Sequence, residues 1–384
     1  MAASLLWFSI TTYISLLTPY VEGLGASHAM AGIIVGSFGF IQIFLRIPLG
    51  LLSDSLGRRK IFIKLSFVFS LLSAAGFLFS RNLVMILVAR TLAGVAATNW
   101  IHFNILYPKY FPEANPSKAL GILNATAMTA QTLALLCGGA LADLTSIDSV
   151  FMLSAFTAVV GLGISWFVVE KGSRTTEPGS FQASFKAMRS PSLLAIAAFA
   201  ILVQMLTYAT TFGFLPLYAR IQFKATGSAL AMLSVIATIS GAFSSLIGNT
   251  NLVVRSNELS LAMWGIMAFA LSTASIPLMP SLSSLTAIQI VAGLGRGVAF
   301  TMAMSIAIQS VPESHRATSM GFYQASYGIG MVAGPVIMGA LSDAWGISKA
   351  FIMMGISTAL LALALLPLCR QYSRHITGID SRRI

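Results

Sequence analysis

The sequence predicts an all-α polytopic membrane protein with twelve membrane-spanning helices in two six-helix halves. Apolar residues occupy 57% of the 384 positions, whereas Asp, Glu, Lys and Arg occupy only 9%. Such a composition is typical of membrane proteins and exceeds what a water-soluble domain needs. The apolar residues form continuous runs of about 20 residues rather than alternating, which favours helices over a β-barrel. Part of the first half recurs about 200 positions later, which indicates a duplicated architecture.

Twelve apolar runs predict the helices in order. Their limits are 4–22, 29–52, 61–79, 83–107, 117–142, 148–169, 194–219, 226–249, 259–279, 283–310, 316–342 and 348–369. The sixth and seventh runs are separated by a polar stretch from Glu170 to Ser180, which is typical of a linker. We therefore expect an N-terminal half over 1–170, a linker over 171–193, a C-terminal half over 194–369 and a tail over 370–384.

Internal repetition supports the division into halves. The sequences P-E at 112–113 and A-L-x-D at 140–143 recur without a gap at 312–313 and 340–343. The sequence G-V-A at 94–96 recurs at 297–299. Helices four and five are therefore predicted to be relatives of helices ten and eleven, which makes the halves pseudo-symmetric.

The cations are distributed unevenly across the predicted membrane. Of the 23 Lys and Arg residues, fifteen fall on the side that holds both termini, four on the opposite side and four within or at the edge of helices. The positive-inside rule then predicts cytoplasmic termini in a multi-pass protein of the cell membrane. The basicity reflects topology, so we expect the lipid bilayer, and no nucleic acid, as a partner. Two cysteines and four scattered histidines match no metal-ligand spacing, so no metal or cofactor is expected.

One charged stretch, residues 50–60, carries the clearest motif. Its pattern G-x-L-x-D-x-x-G-R-R-K resembles the signature loop between helices two and three of the major facilitator superfamily, and more specifically its drug- and solute-efflux branch. The resemblance covers essentially the whole chain. It implies two six-helix halves that rock around a substrate site near the midplane, usually in a monomer.

The resemblance also implies a conformational latch on the cytoplasmic side. Its candidate residues are those of the loop, together with a P-E-x-x-R pattern at the ends of helices four and ten: Gly50, Asp54, Gly57, Arg58, Glu113, Glu313 and Arg316. The corresponding loop of the second half, 248–255, lacks a carboxylate, so the latch belongs mainly to the first half. Alternatively, the loop cations only set the orientation of the chain in the membrane, and Glu113 and Glu313 only cap helices.

Two arginines, Arg90 and Arg296, lie within predicted helices. Burying a charged side chain in the membrane is energetically unfavourable, so an arginine found there usually has a functional or structural role. Arg90 and Gly94 match the R-x-x-x-G motif of the family's fourth helix, which implies proton coupling by Arg90, with Glu22 as an acidic participant. Arg296 lies thirteen residues after Ser283, or roughly 20 Å deep at 1.5 Å per residue, so it cannot easily reach either surface. We expect Arg296 to contact substrate or take part in coupling. For both arginines a buried structural role is the alternative.

Polar side chains on single helical faces predict the remaining walls of a cavity. Asn104 shares a face with Arg90, and similar pairs occur on helices seven, five and eleven. The resulting substrate-binding candidates, with Arg296, are Asn104, Asn124, Gln131, Gln204, Tyr208, Gln324 and Tyr327. Amides inside hydrocarbon need partners, which a solvated cavity supplies. Hydrogen bonding between helices is the alternative.

Function is constrained by what the sequence lacks. No phosphate loop, nucleophile elbow, metalloprotease motif or dinucleotide fingerprint occurs, so we expect no enzyme and transport driven by a gradient. No carboxylate falls at mid-depth in a predicted helix, which favours neutral, zwitterionic or anionic solutes over cations. The residues 134–135 are Ala-Leu, where proton-driven exporters of the family carry Gly-Pro, so export is less certain than the loop implies.

Three functions remain open from the sequence. The first is a proton-coupled secondary transporter of a small organic solute, more often exporting by antiport than importing. The second is an uptake carrier for an organic anion, with Arg296 as the counter-charge. The third is a non-transporting sensor or scaffold built on the same fold.

Overall fold

The computed structural model describes residues 1–111, 116–170, 191–247, 258–309 and 316–380. Side chains are described for these residues except 47, 51, 54, 116–118, 192, 245–247, 316–321 and 370–380. The described part is helical and contains no strand. Within these described ranges, eleven helices are long and apolar enough to cross a membrane, and Glu258–Ala274 is a shorter apolar helix of 17 residues. The predicted all-α fold with twelve helices is thereby confirmed.

We number the helices by span, α1 to α12, and split three of them. They are α1a (Ala2–Thr11), α1b (Ile14–Gly23), α2 (His28–Leu56), α3 (Lys60–Phe79), α4a (Leu83–Thr98), α4b (Trp100–Leu106), α5 (Pro116–Leu144), α6 (Ile147–Ser165), α7a (Pro191–Ala209), α7b (Leu215–Phe223), α8 (Gly227–Ile247), α9 (Glu258–Ala274), α10 (Leu282–Gln309), α11 (Arg316–Trp345) and α12 (Ile347–Asp380). Helix α12 continues into the segment that was expected to form a separate tail.

Interruptions in α1, α4 and α7 were not predicted. Helix α1 breaks at Tyr13, α4 at Asn99, and α7 contains a π-helical turn over Thr210–Phe214. The left-handed residues Gly25 and Lys224, at φ 89° and 49°, follow α1b and α7b at positions 199 apart. The breaks in α1 and α7 are separated by about the same offset. The repeat therefore extends to the first helix of each half, and irregular turns of this kind are frequent at functional sites.

Threonine side chains explain why the chain breaks at these two places. The hydroxyls of Thr11 and Thr12 donate to backbone carbonyls four residues earlier in α1a. The hydroxyl of Thr210 does the same at 2.7 Å in α7. Such back-bonding competes with the helical ladder and bends helices. The bends place the outer parts of α1 and α7 against each other, where the Thr18 hydroxyl donates to the Gly213 carbonyl at 2.6 Å.

The two halves meet along two helix pairs, α2 with α11 and α5 with α8. Glycine permits the close approach in both. A Cβ at Gly32 would collide with the Pro335 carbonyl of α11, and one at Gly139 would lie 2.6 Å from the Gly227 carbonyl of α8. Small residues allow such packing inside a membrane, where burial of apolar surface supplies little attraction between helices. Large apolar side chains such as Trp264 instead point outward, as expected for a lipid-facing surface.

Candidate functional site

Two pseudo-symmetric aspartates join the halves at one end of the bundle. Asp143, at the end of α5, accepts hydrogen bonds of 2.6 and 2.8 Å from the first two backbone N–H groups of α8. Asp343, at the end of α11, accepts two of 2.9 Å from the first two N–H groups of α2. A carboxylate at a helix N-terminus satisfies free N–H groups and the positive end of the helix dipole. We call this end the aspartate side and the end that holds residues 50–60 the loop side.

The contact between α2 and α11 continues from the aspartate side into the middle of the bundle. Below the Asp343 cap, α2 stays in contact with α11 as far as Gly328, where an added Cβ would lie 3.0 Å from Ile43. Residues 28 to 43 span about 22 Å of helix. Together with the Asp143 cap and the Thr18–Gly213 hydrogen bond, this contact holds the halves against each other on the aspartate side, and along α2 and α11 it reaches roughly the midplane.

Tyr208 of α7 lies at the centre, where this closed contact ends. It is half-buried and close enough to interact electrostatically with Arg46, Arg90, Arg296 and Tyr327. These residues come from α2, α4, α10 and α11, so both halves contribute. Four predicted site residues, Arg90, Tyr208, Arg296 and Tyr327, therefore lie within long-range electrostatic reach of one another's region, together with Arg46.

Arg296 faces α8 from the middle of α10. Its Nη2 donates to the Ala237 carbonyl at 3.2 Å, and an added Cβ at Gly241 would lie 3.0 Å from the same nitrogen. Among the described residues no carboxylate pairs with its guanidinium. Fourteen residues of α10 separate it from Leu282, or about 21 Å. The position agrees with a place deep in the bundle, and the guanidinium retains donors for a further partner.

Arg90 is more deeply enclosed. Its side chain is 1% exposed, and the guanidinium carbon lies 4.2 Å from the centre of the Phe38 ring and 5.8 Å from that of Tyr13. Phe38 in turn stacks on Tyr208 of the other half, with ring centres 6.4 Å apart and planes inclined by 20°. Phe38 therefore separates Arg90 from the centre of the bundle and links the arginine to Tyr208.

A short hydrogen-bonded series continues along the same face of α2. The Arg46 Nη2 donates to Gln42 Oε1 at 3.1 Å, and the Gln42 Nε2 donates to the Phe38 carbonyl at 2.9 Å. Residues 38, 42 and 46 recur at one helical turn, so they share one face. The amide orients Arg46 without neutralising its charge.

Aromatic rings form the neighbouring wall. Tyr327 lies 5.8 Å from both Phe300 and Tyr323, ring centre to ring centre. The Tyr323 hydroxyl is buried and has no hydrogen-bond partner among the described residues. Phe38, Phe300 and Tyr323 were not predicted. Phe300 lies four residues after the predicted Arg296, and Tyr323 lies four residues before the predicted Tyr327. This one-turn spacing places each pair on one helical face and could have identified both rings from the sequence.

The remaining substrate-binding candidates are more scattered. Half-buried side chains are found at Asn104, Gln131, Gln204 and Gln324, whereas Asn124 is exposed. The Asn104 Oδ1 is buried without a hydrogen-bond partner among the described residues. The structure shows no hydrogen bond that unites these amides with Arg296 or Tyr208 in the part it describes. Their role in binding stays a prediction.

The coupling candidate Glu22 lies apart from Arg90. Glu22 is half-buried at the aspartate-side end of α1b. It follows Tyr13, whose ring centre lies 5.8 Å from the Arg90 guanidinium carbon, by nine positions, or about 13 Å of helix. No contact joins Glu22 to Arg90 among the described residues. A direct pair between them is therefore absent from this conformation.

The loop at 50–60 binds the end of α6 in its own half. Gly57 has φ 61°, which supports the expected tight turn, and Arg58 is exposed. The Arg59 backbone N–H donates to the Glu170 carboxylate, and Lys60 Nζ donates to the Trp166 carbonyl at 2.7 Å. Lysine at a helix C-terminus is favourable for the dipole.

Most of the predicted latch falls outside the described residues. This applies to the whole of Glu113 and Glu313 and to the side chains of Asp54 and Arg316. For Gly50, an added Cβ would lie 3.9 Å from Ile101, which is an ordinary contact. The latch stays a prediction.

Comparisons with known proteins agree with this geometry. The chain is 26% identical over 348 residues to an uncharacterized MFS-type transporter of Methanocaldococcus jannaschii, covering 86% of this chain and 87% of that one. It is 26% identical over 272 residues to the purine ribonucleoside efflux pump NepI of Escherichia coli K12, covering 66% of each.

Solved structures show the same fold at lower sequence identity. A bacterial homolog of the human lysosomal transporter Spinster, inward-facing and unoccupied, matches with TM-score 0.80 and 15% identity, over 98% of this chain and 96% of that one. The nucleoside transporter NupG matches with TM-score 0.75 and 14% identity, over 96% and 98%. The family model of the Major Facilitator Superfamily matches residues 1–252 and 223–381. The chain therefore belongs to the major facilitator superfamily and is a multi-pass membrane transporter of that family.

Proposed function

We propose that this transporter exports a small organic solute from the loop side to the aspartate side by alternating access, in exchange for protons. The observation that carries the proposal is the meeting of Tyr208, Arg296 and Tyr327 from different helices at the midplane, directly below a closed aspartate side. Alternating access requires a central site that each half helps to form and that closes towards one side at a time. The positive-inside distribution of cations supports a cytoplasmic loop side and cytoplasmic termini.

The chemistry of the centre supports a planar solute with hydrogen-bond acceptors. Rings of Tyr208, Tyr327 and Phe300 offer flat apolar faces, and Arg296 supplies donors. A purine ribonucleoside has both features, and NepI and NupG carry nucleoside transport in their names. The proposed binding residues are Arg296, Tyr208 and Tyr327, with Asn104, Asn124, Gln131, Gln204 and Gln324 as further candidates.

Proton coupling and the latch complete the proposal. The surroundings of Arg90 change if separation of the halves removes Tyr208 from the Phe38 ring that covers the arginine. Glu22 and Asp54 are the acidic groups within or beside the first two helices. Formation of the latch by residues 50–60 with Glu113, Glu313 and Arg316 would close the loop side when the aspartate side opens. Such switching between two packed arrangements is the usual form of a conformational transition.

A second function is favoured by one specific observation. Arg46, Arg90 and Arg296 all approach Tyr208, and no carboxylate of a described residue pairs with any of them. Arg90 lies behind Phe38, but Arg46 and Arg296 lie in the same central region without a counter-charge from the described residues. Such cations suit an organic anion, which an uptake carrier would bind with Arg296 as counter-charge. The two functions differ in substrate charge and in direction.

Transport by purified protein in liposomes separates these functions. We expect labelled purine nucleoside to move when a pH gradient is imposed, and Arg296→Ala to reduce binding at least tenfold, because a buried charged hydrogen-bond donor is lost. Arg220→Ala is the matched control, since Arg220 donates to the nearby Ala225 carbonyl at the end of α7. Flux of organic anions instead of nucleosides would favour the second function. Flux that ignores the pH gradient would exclude proton coupling, and no flux of any solute would leave a non-transporting sensor or scaffold.

A further inference from the structure

Arg90 carries a charge that the described protein does not neutralise. It lies seven residues after the start of α4a, or about 10 Å from the aspartate side, and is the largest side chain with less than 2% exposure. Its Nε and Nη1 are buried and have no hydrogen-bond partner among the described residues. An arginine stays protonated and has five donors, so burying it without acceptors is unfavourable.

Ring contacts account for only part of its environment. The guanidinium lies against the Phe38 face at 4.2 Å, and the Tyr13 ring centre is 5.8 Å away. Cation–π contacts stabilise the charge but use no N–H donor in the guanidinium plane. The donors of Arg90 are therefore available to an acceptor that approaches from the edge.

Tyr13 is a second, independent sign of a ligand in the same place. Its side chain is 1% exposed, and its hydroxyl also has no hydrogen-bond partner among the described residues. The ring is held by Phe77 and Phe151, at centre distances of 4.7 and 5.8 Å. It stands at the break between α1a and α1b, where the backbone has already left the helical ladder. The Tyr13 hydroxyl is therefore held in place by its ring contacts and can donate a hydrogen bond to a bound ligand.

Acidic groups of the neighbouring helices do not supply that acceptor. Glu22 lies about 13 Å farther along α1. Asp148 of α6 forms an ion pair with Arg81 on the aspartate side instead. Gln42, on the face of α2 next to Phe38, is already bonded to the Phe38 carbonyl and to Arg46. The described residues therefore supply no counter-charge to Arg90, and a ligand bound here would bring one.

We infer that Arg90 and Tyr13 form an anion-binding site inside the N-terminal half, separate from Arg296 and covered by Phe38 in this conformation. The ligand is a small anion with acceptor atoms, either an inorganic ion such as chloride or the acidic group of a solute. Phe38 also stacks on Tyr208 of the other half. When the halves separate, the Phe38 ring loses this support and is free to turn away from Arg90, which uncovers the site. This inference concerns binding alone, so it stands or falls independently of the proposed direction and substrate of transport.

Thermal unfolding of the purified full-length protein tests the site without measuring transport. The protein is titrated with sodium chloride, nitrate, acetate and benzoate at constant ionic strength, with gluconate as the bulky replacement anion. We expect a saturable rise in Tm with at least one small anion. Arg90→Gln should weaken the apparent affinity at least tenfold, and Tyr13→Phe several-fold. Arg81→Gln should bind as the wild type does, because Arg81 lies outside this site.

The pattern of responses identifies the source of the anion or overturns the inference. Saturation by chloride or nitrate indicates an inorganic ion, and saturation by the carboxylates alone indicates a solute's acidic group. No saturable rise with any anion, or equal rises in wild type and Arg90→Gln, would show that Arg90 is only a buried structural cation. If Arg90→Gln does not fold, an unchanged affinity in Tyr13→Phe overturns the inference by itself.

Discussion

Removing the carboxylates of Asp143 and Asp343 should open the aspartate side. Each carboxylate accepts two backbone hydrogen bonds across the halves, at 2.6 to 2.9 Å. Loss of a charged cap at a helix N-terminus costs about 1–2 kcal/mol. Each substitution by alanine should therefore shift the ratio of closed to open molecules by roughly 5- to 30-fold, since 1.4 kcal/mol corresponds to about tenfold. The caps lie on different helix pairs, so the double variant should lose about 2–4 kcal/mol.

Cysteine labelling in the closed contact measures this shift. Thr18 is fully buried and donates to the Gly213 carbonyl of the other half, so a cysteine there reacts only when the contact opens. The two native cysteines, Cys137 and Cys369, are first replaced by serine. The rate of reaction of Thr18→Cys with a hydrophilic maleimide then follows the open population. We expect this labelling rate to rise by roughly 5- to 30-fold in Asp343→Ala and in Asp143→Ala.

Asp148→Ala is the matched control for this experiment. Asp148 also lies on the aspartate side and is ion-paired, but its partner Arg81 belongs to the same half. Its removal should leave the labelling rate unchanged. If Asp143→Ala and Asp343→Ala label no faster than Asp148→Ala, the two caps do not hold the halves together and the reasoning is wrong.

Two further predictions concern packing and the loop. Gly139→Val should also speed the labelling of Thr18→Cys, because a Cβ at Gly139 would lie 2.6 Å from the Gly227 carbonyl of the other half. Gly163→Val is the control and should leave the labelling rate unchanged, because a Cβ at Gly163 would meet open space. Equal labelling rates in the two variants would contradict this prediction. Glu170→Gln should weaken the bond from the Arg59 N–H by about 1 kcal/mol, because a charged acceptor becomes neutral. Amide hydrogen exchange at Arg59 should then be roughly fivefold faster, and an unchanged rate would mean that the carboxylate does not anchor the loop.

The fold could be predicted because it depends on long-range composition. A run of about 20 apolar residues can satisfy its backbone only as a helix in lipid, so each run fixes one span. Sequence repetition then pairs α4 and α5 with α10 and α11. By contrast, the breaks in α1 and α7 depend on whether Thr12 or Thr210 bonds back to its own helix. Threonine does this only in some contexts. In α7 the available signal was Pro216, which lies just after the π-helical turn and has no N–H for the helical ladder.

The site was only partly predictable for a related reason. Arg90, Arg296 and Tyr208 were found because a polar group inside an apolar run is costly and therefore informative. Phe38 carries no such signal, since a phenylalanine in an apolar helix resembles any lipid-facing residue. Its position between Arg90 and Tyr208 is a property of the packed halves alone. Asp143 and Asp343 were visible as a repeat, but their partners on α8 and α2 were not.

The two sides of the molecule differ in symmetry, and this difference bears on how it moves. On the aspartate side, Asp143 of the N-terminal half caps α8, and Asp343 of the C-terminal half caps α2. Separation of one helix pair therefore strains the hydrogen bonds of the other pair. On the loop side the charged motif exists only once, because 248–255 has no carboxylate. A closed aspartate side held by equivalent caps should open by rotation of whole halves rather than by bending of one helix. Phe38 moves with the N-terminal half and Tyr208 with the other. Rotation therefore breaks their stack when the caps release, and the Phe38 ring can then turn away from Arg90.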